Sequence, residues 1–244
     1  MSLNYSLLEF IYYIYDFENC LYYYAETTVL LFTSRLITLN LHPRNNRSAA
    51  LPLLTLILAG LSIFLSLYVQ HPMLLPSYSF FGVSTSYFTE FTERLFFHPS
   101  LSHLISNISF FLLFGLPVEQ IIGNFRYFVT LFFLVLTTLL MNSLNIDISQ
   151  LYGMSALVSG VIGIYAIILP HRKIGMIIPL GIWPLAVQVP AIIVILIWIL
   201  TQLFFYWQEG VASQVSWLAH IFGFATGVFC GIFLLYSRNY RHSQ

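Results

Sequence analysis

The chain alternates long apolar runs with short polar clusters, and the runs have the length of membrane-crossing helices. About 20 apolar residues are needed to cross the hydrocarbon of a bilayer. Residues 50–70 form the first such run, uncharged from Ala50 to Gln70. The second, about 101–121, is interrupted by His103, Asn107 and Glu119. The third covers about 127–145, and the fourth, about 151–169, follows Asp147 and stops at Pro170. From Ile174 to Gln208 there is no charge, a stretch too long for one crossing. Pro179, Pro184 and Pro190 break its first half, so 174–188 reads as interfacial and 189–207 as the fifth span. The sixth covers about 215–236.

Basic residues collect on the cytoplasmic side of membrane proteins. With residue 50 starting inside, Arg35, Arg44, Arg47, Arg126, Arg172, Lys173, Arg238 and Arg241 all fall inside, and only Arg94 falls outside. The expectation is an all-α polytopic membrane protein of six helices with both ends cytoplasmic. Spans two, four and six then run from outside to inside. The membrane domain is 49–237 and the tail 238–244, while residues 1–48 read as a cytoplasmic or interfacial segment. That segment carries Glu9, Asp16, Glu18 and Glu26 among its aromatic residues, which suits an amphipathic surface element.

Composition agrees. Of 244 residues 59% are hydrophobic and 7% charged, against about 25% charged in a soluble domain. A surface this poor in charge faces lipid. Nine basic residues balance nine acidic ones, so no basic field points to nucleic acid. Cys20 and Cys230 form no CxxC or metal-type spacing, and no removable signal peptide is expected. Neither a metal nor a cofactor is expected.

Polar groups inside a membrane are costly, so their depth carries information. His103 lies nine residues after Arg94, Ser155 eight after Asp147, and His220 eleven after Glu209. All three spans enter from outside, which puts these residues within about two turns of the outer end at about 1.5 Å per residue. Asn107 shares a face with His103 one turn further in. Spans four and six also carry small-residue rows: Ser155, Ser159 and Gly163 on one, Gly223, Gly227 and Gly231 on the other, with His220 beside Gly223. Such rows let membrane helices approach closely. A histidine brought to a serine in this way takes the proton the hydroxyl must lose to attack a carbonyl. The G-x-S-x-G elbow of soluble hydrolases is not met, since position 157 is Leu and no strand precedes it. A transporter on the same residues would need acids near mid-membrane and an inverted repeat. Only Glu119 is acidic within a span, near its inner end, and no repeat is visible.

With these residues in view, the chain resembles the rhomboid family of intramembrane serine proteases over about residues 50–237. His103 and Asn107 match the family's second-span pair, and Gly115-Leu-Pro-Val-Glu119 followed by Gly123 resembles its G-x-x-x-E segment. Gly153-Met-Ser155-Ala156 is similar to the GxSG block, and Ala219-His220 through Gly223 to Gly227 to the AHxxGxxxG block. The resemblance implies a rhomboid-like six-helix bundle and a Ser155–His220 dyad without a third acid. It implies oxyanion stabilisation by His103, Asn107 and the Ser155 backbone N–H. Glu119, Gly153, Gly223 and Gly227 become structural, and His98 organises a loop. It further implies single-span membrane proteins as substrates, cut near the outer end of their helix, in what is expected to be a prokaryotic plasma membrane. Uncharged residues 211–217 would form a movable cap.

The sequence departs from the family pattern in three places. Ala156 replaces a glycine after the serine. Ser159 stands where relatives often place an aromatic residue on the imidazole, so Phe222 or Phe224 is expected to hold the base. The first-loop Trp-Arg pair is absent, Glu93-Arg94 being the nearest approach. A pseudoprotease that binds membrane helices without cutting them is the alternative, although relatives of that kind lack the serine or the histidine, and both are present here.

Overall fold

The computed structural model describes residues 51–69, 95, 96, 98, 100–143, 154–180, 183–210 and 216–242. These form six helices and one hairpin: α1 Leu53–Val69, α2 Leu101–Ile122, α3 Asn124–Ser143, α4 Ser155–Ile168, β1 Lys173–Leu180, β2 Trp183–Pro190, α5 Ala191–Glu209 and α6 Trp217–His242. Each helix falls on one of the six apolar runs. Three of them, Leu101–Ile122, Ala191–Glu209 and Trp217–Ser237, are long and apolar enough to cross a membrane. The segment 1–48, Glu93-Arg94, Gly153 and loop residues 211–215 lie outside the described residues.

The packing is inside-out relative to a water-soluble bundle. Phe125, Phe132 and Trp207 point outward, whereas Thr55, Ser62, Ser66 and Glu119 are buried. In water this would expose a large apolar surface at about 25 cal/mol per Å², so lipid is the solvent that stabilises it. α4 is buried all round from Ala156 to Ala166 and forms the axis of the bundle. Phe111 and Phe114 of α2, Tyr127 and Leu134 of α3 and Val161 and Ile164 of α4 fill the core around it.

α2 and α3 meet at a corner of one residue. Gly123 adopts φ 84°, a conformation that a side chain strains, and its N–H closes on the Glu119 carbonyl at 2.8 Å. The Glu119 side chain faces α1, where it accepts from the N–H groups of Leu54 and Thr55 at 2.8 Å each and from Thr55 Oγ1 at 2.7 Å. A buried carboxylate thereby satisfies the open donors of a helix N-terminus, where the helix dipole also favours negative charge.

The segment read as interfacial is an antiparallel hairpin, with Lys173 opposite Pro190 and Pro179 opposite Pro184. Both strands are edges of a two-stranded sheet, where a residue lacking N–H is tolerated. At its base Ala191 N donates to Arg172 O at 2.8 Å and Ile192 N to Pro170 O at 3.0 Å. The hairpin therefore returns the chain to the end of α4 and starts α5 there.

Candidate active site

The approach of α4 to α6 decides where Ser155 stands. A Cβ on Gly223 would run into the carbonyl of Ala156, and one on Gly227 into the carbonyl of Gly160. One on Gly231 would lie 2.8 Å from Cβ of Ile167. The two helices thus touch backbone to backbone, in parallel and in step. On α6 the row is Gly223, Gly227 and Gly231, as the sequence implies. On α4 it is Ala156, Gly160, Gly163 and Ile164, turned by one residue from the expected Ser155–Ser159–Gly163 face. Ser159 is buried and donates to the Ser155 carbonyl at 2.7 Å, back into its own helix. The offset leaves Ser155 at the margin of the seam, next to Ala156, whose carbonyl meets Gly223 three residues past His220.

Ser155 is the first residue of α4, and among the described residues no side chain caps that end. The first closed bond of the helix runs from Val158 N to Met154 O at 2.9 Å, leaving the N–H groups of the opening turn for another acceptor. A helix N-terminus with free N–H groups favours negative charge.

His220 is held from two directions. Its Nδ1 lies 2.8 Å from Gln202 Oε1 on α5. Its ring meets Trp217 edge to face, centroids 5.9 Å apart at 88°. Trp217 in turn stacks on Phe205 at 5.0 Å and donates from Nε1 to Glu209 Oε2 at 2.8 Å. The expected partners Phe222 and Phe224 do other things: Phe222 is exposed and Phe224 packs against Trp198. Phe222, two residues on, lies on another face of the helix from His220, and Phe224, one turn on, is taken up by Trp198. Gln202 escaped the sequence reading altogether. Its one signal is an amide set near the middle of a mostly apolar helix.

α2 brings the remaining polar groups. Ser100 caps its start, accepting from His103 N at 3.2 Å. His103 lies within electrostatic range of His220. Asn107, one turn on, is buried, and its Nδ2 has no hydrogen-bond partner among the described residues. Two donors left idle in a dry interior are costly unless a ligand takes them up. His98 packs edge to face on His103 at 5.3 Å, with Nδ1 3.1 Å from both Ser66 Oγ and Phe96 O. Burial, helped by His103 and opposed by the Phe96 carbonyl, pushes His98 down to about 4, so it is neutral near pH 7. It ties the chain ahead of α2 to α1.

No hydrogen bond joins Ser155 Oγ to His220 among the described residues. Catalytic hydrogen bonds are often long in free enzymes and tighten with substrate bound. No group of three or more His, Cys, Asp or Glu among the described residues is arranged to hold a metal ion.

No curated protein and no solved structure matches the chain. The family model of the Rhomboid domain matches residues 85–237, which takes in α2 to α6 with Ser155, His220, His103 and Asn107. With more than half of its length under that match, the chain belongs to the rhomboid family.

Proposed function

We propose that this rhomboid-family protein is an intramembrane serine endopeptidase in which Ser155 is the nucleophile and His220 the base. The observation that supports the reading is the glycine seam, in which Gly223, three residues past His220, meets the carbonyl of Ala156, the residue after Ser155. In the reaction Ser155 Oγ adds to the scissile carbonyl while its proton passes to Nε2 of His220. The oxyanion is taken up by the Ser155 N–H, the orphaned Asn107 Nδ2 and His103. Losing one such donor commonly costs about 3–4 kcal/mol of transition-state stabilisation. Collapse breaks the C–N bond, and the leaving amine takes the proton from His220. Water, deprotonated by the same imidazole, then hydrolyses the acyl-Ser155 ester.

The length of α4 supports a recessed site. Its 14 residues span about 21 Å, short of a hydrocarbon layer of about 30 Å. With Arg172 and Lys173 holding its far end at the water, Ser155 stops below the opposite surface, which the distribution of basic residues makes the outer one. Substrates are single-span membrane proteins, cut near the outer end of a helix that must unwind to release the scissile carbonyl. Both termini are cytoplasmic, in a prokaryotic plasma membrane.

A pseudoprotease is the second reading, favoured by the missing Ser155–His220 hydrogen bond and by Ala156 after the serine. One experiment separates the two: incubate a single-span substrate with wild type and with Ser155→Ala in the same membranes. The protease reading expects product from wild type alone. Equal product from both would sink it.

A further inference from the structure

Gln202 is the one buried polar residue of α5, a helix whose other buried residues are Ala191 and Ile195. An amide in that position is desolvated, which costs free energy unless its hydrogen bonds are made. They are. Oε1 lies 2.8 Å from Nδ1 of His220, and Nε2 donates to Thr201 Oγ1 at 3.3 Å and to the Trp198 carbonyl at 3.4 Å. Turning the amide over would set its oxygen against the Trp198 carbonyl, two acceptors facing each other. The orientation is therefore fixed, with the oxygen toward the imidazole.

That orientation has a chemical consequence. Oε1 only accepts, so Nδ1 of the neutral imidazole must carry the hydrogen. The lone pair is then on Nε2, at the opposite side of the ring. Which ring nitrogen is a base is set by the hydrogen bond that the other one makes. An acid commonly does this from the third position of a serine triad, fixing the tautomer and steadying the imidazolium. We infer that Gln202 is a positioning residue that holds His220 as the Nδ1–H tautomer and presents Nε2 to Ser155, the neutral third member of a Ser155–His220–Gln202 relay. The inference rests on Ser155 and His220 being the catalytic pair.

The Trp217 ring blocks one side of the imidazole, and Trp217 is itself anchored to α5 by Phe205 and Glu209. α5 therefore sets both the tilt and the tautomer of a base carried on α6. This gives the ring a support although Ser159, at the position where relatives often place an aromatic residue on the imidazole, bonds to its own helix.

The test uses the full chain with ¹⁵N-labelled histidine, His220 being assigned by its disappearance in His220→Gln. Wild type is expected to show the Nδ1–H tautomer. Gln202→Leu, similar in volume and suited to lipid, should shift His220 toward Nε2–H. It should also lower kcat about tenfold, the worth of one buried neutral hydrogen bond, with KM unchanged. Gln202→Glu keeps an acceptor oxygen and should restore both readouts. An Nε2–H tautomer in wild type, or a tautomer unmoved by Gln202→Leu, overturns the inference even where kcat falls, because packing alone would then account for the loss. If the tautomer follows residue 202 but wild type cuts no substrate, the positioning holds and the protease reading fails. If Gln202→Leu changes neither tautomer nor kcat in an active enzyme, the protease reading stands and the positioning fails.

Discussion

α6 has two neighbours that treat it differently. Against α4 it lies backbone to backbone, through glycines that leave no room for a methyl group. Against α5 it is joined by side chains: Gln202 to His220, Phe205 and Glu209 to Trp217, and Trp198 to Phe224. The first seam allows one separation only. The second spans a gap with rotatable groups, on a helix whose outer surface is Leu196, Ile197, Leu200 and Trp207, all exposed. Distance between Ser155 and His220 is therefore set by rigid contact, and the direction of the imidazole by an adjustable one. The proposed hydrolysis needs both, and here they come from different helices.

The rigid seam should give the largest effect when broken. Gly227→Val drives a side chain into the Gly160 backbone and must part the helices. Stability should fall by about 3 kcal/mol, the upper range for overpacking, and residual activity by about a hundredfold as the reacting groups separate. Thermal unfolding in detergent and a cleavage assay check the two numbers. Gly60, where an added Cβ meets nothing within 4 Å, is the matching control, and Gly60→Ala should change neither.

Glu119→Ala strikes away from both seams. It leaves the donors of Leu54 and Thr55 buried and unpaired, at about 1–3 kcal/mol per group before any relaxation. The melting temperature should fall, while activity per folded molecule at low temperature stays near wild type. Equal losses of both would mean that α1 also sets the site. The smaller, tenfold effect of Gln202→Leu on kcat belongs to the adjustable seam.

A pH dependence is expected at His98. Its folded value of about 4 lies below the unfolded 6.5, so between these values the unfolded chain binds more protons. The contribution of neutral His98 is complete above pH 6.5 and is lost as pH falls toward 4. Melting temperature should drop across that window, and His98→Gln, which does not titrate, should flatten the slope.

The bundle was legible in the sequence because lipid imposes a length and an apolar composition on each crossing. Ser155, His220, Asn107 and Glu119 stood out for the same reason, as polar groups where polarity is costly. Three things were not legible. On α4 two rows of small residues lie side by side, one starting at Ser155 and the other at Ala156, and periodicity alone does not choose between faces 100° apart. The hairpin was hidden by its prolines, which read as breaks until the partner strand places them on edges. Gln202 was hidden by distance along the chain: its meaning lies in a contact 18 residues away on a neighbouring helix. Sequence position showed which groups were unusual. Only the packing showed which of them face one another.

In the proposed mechanism Ser155 is a nucleophile activated by His220. Labelling with a fluorophosphonate, followed by mass spectrometry of the modified peptide, tests it without knowledge of the natural substrate. An adduct is expected on Ser155 in wild type and should be lost in His220→Ala. An adduct on another serine, or labelling of Ser155 that is undiminished without His220, would contradict it.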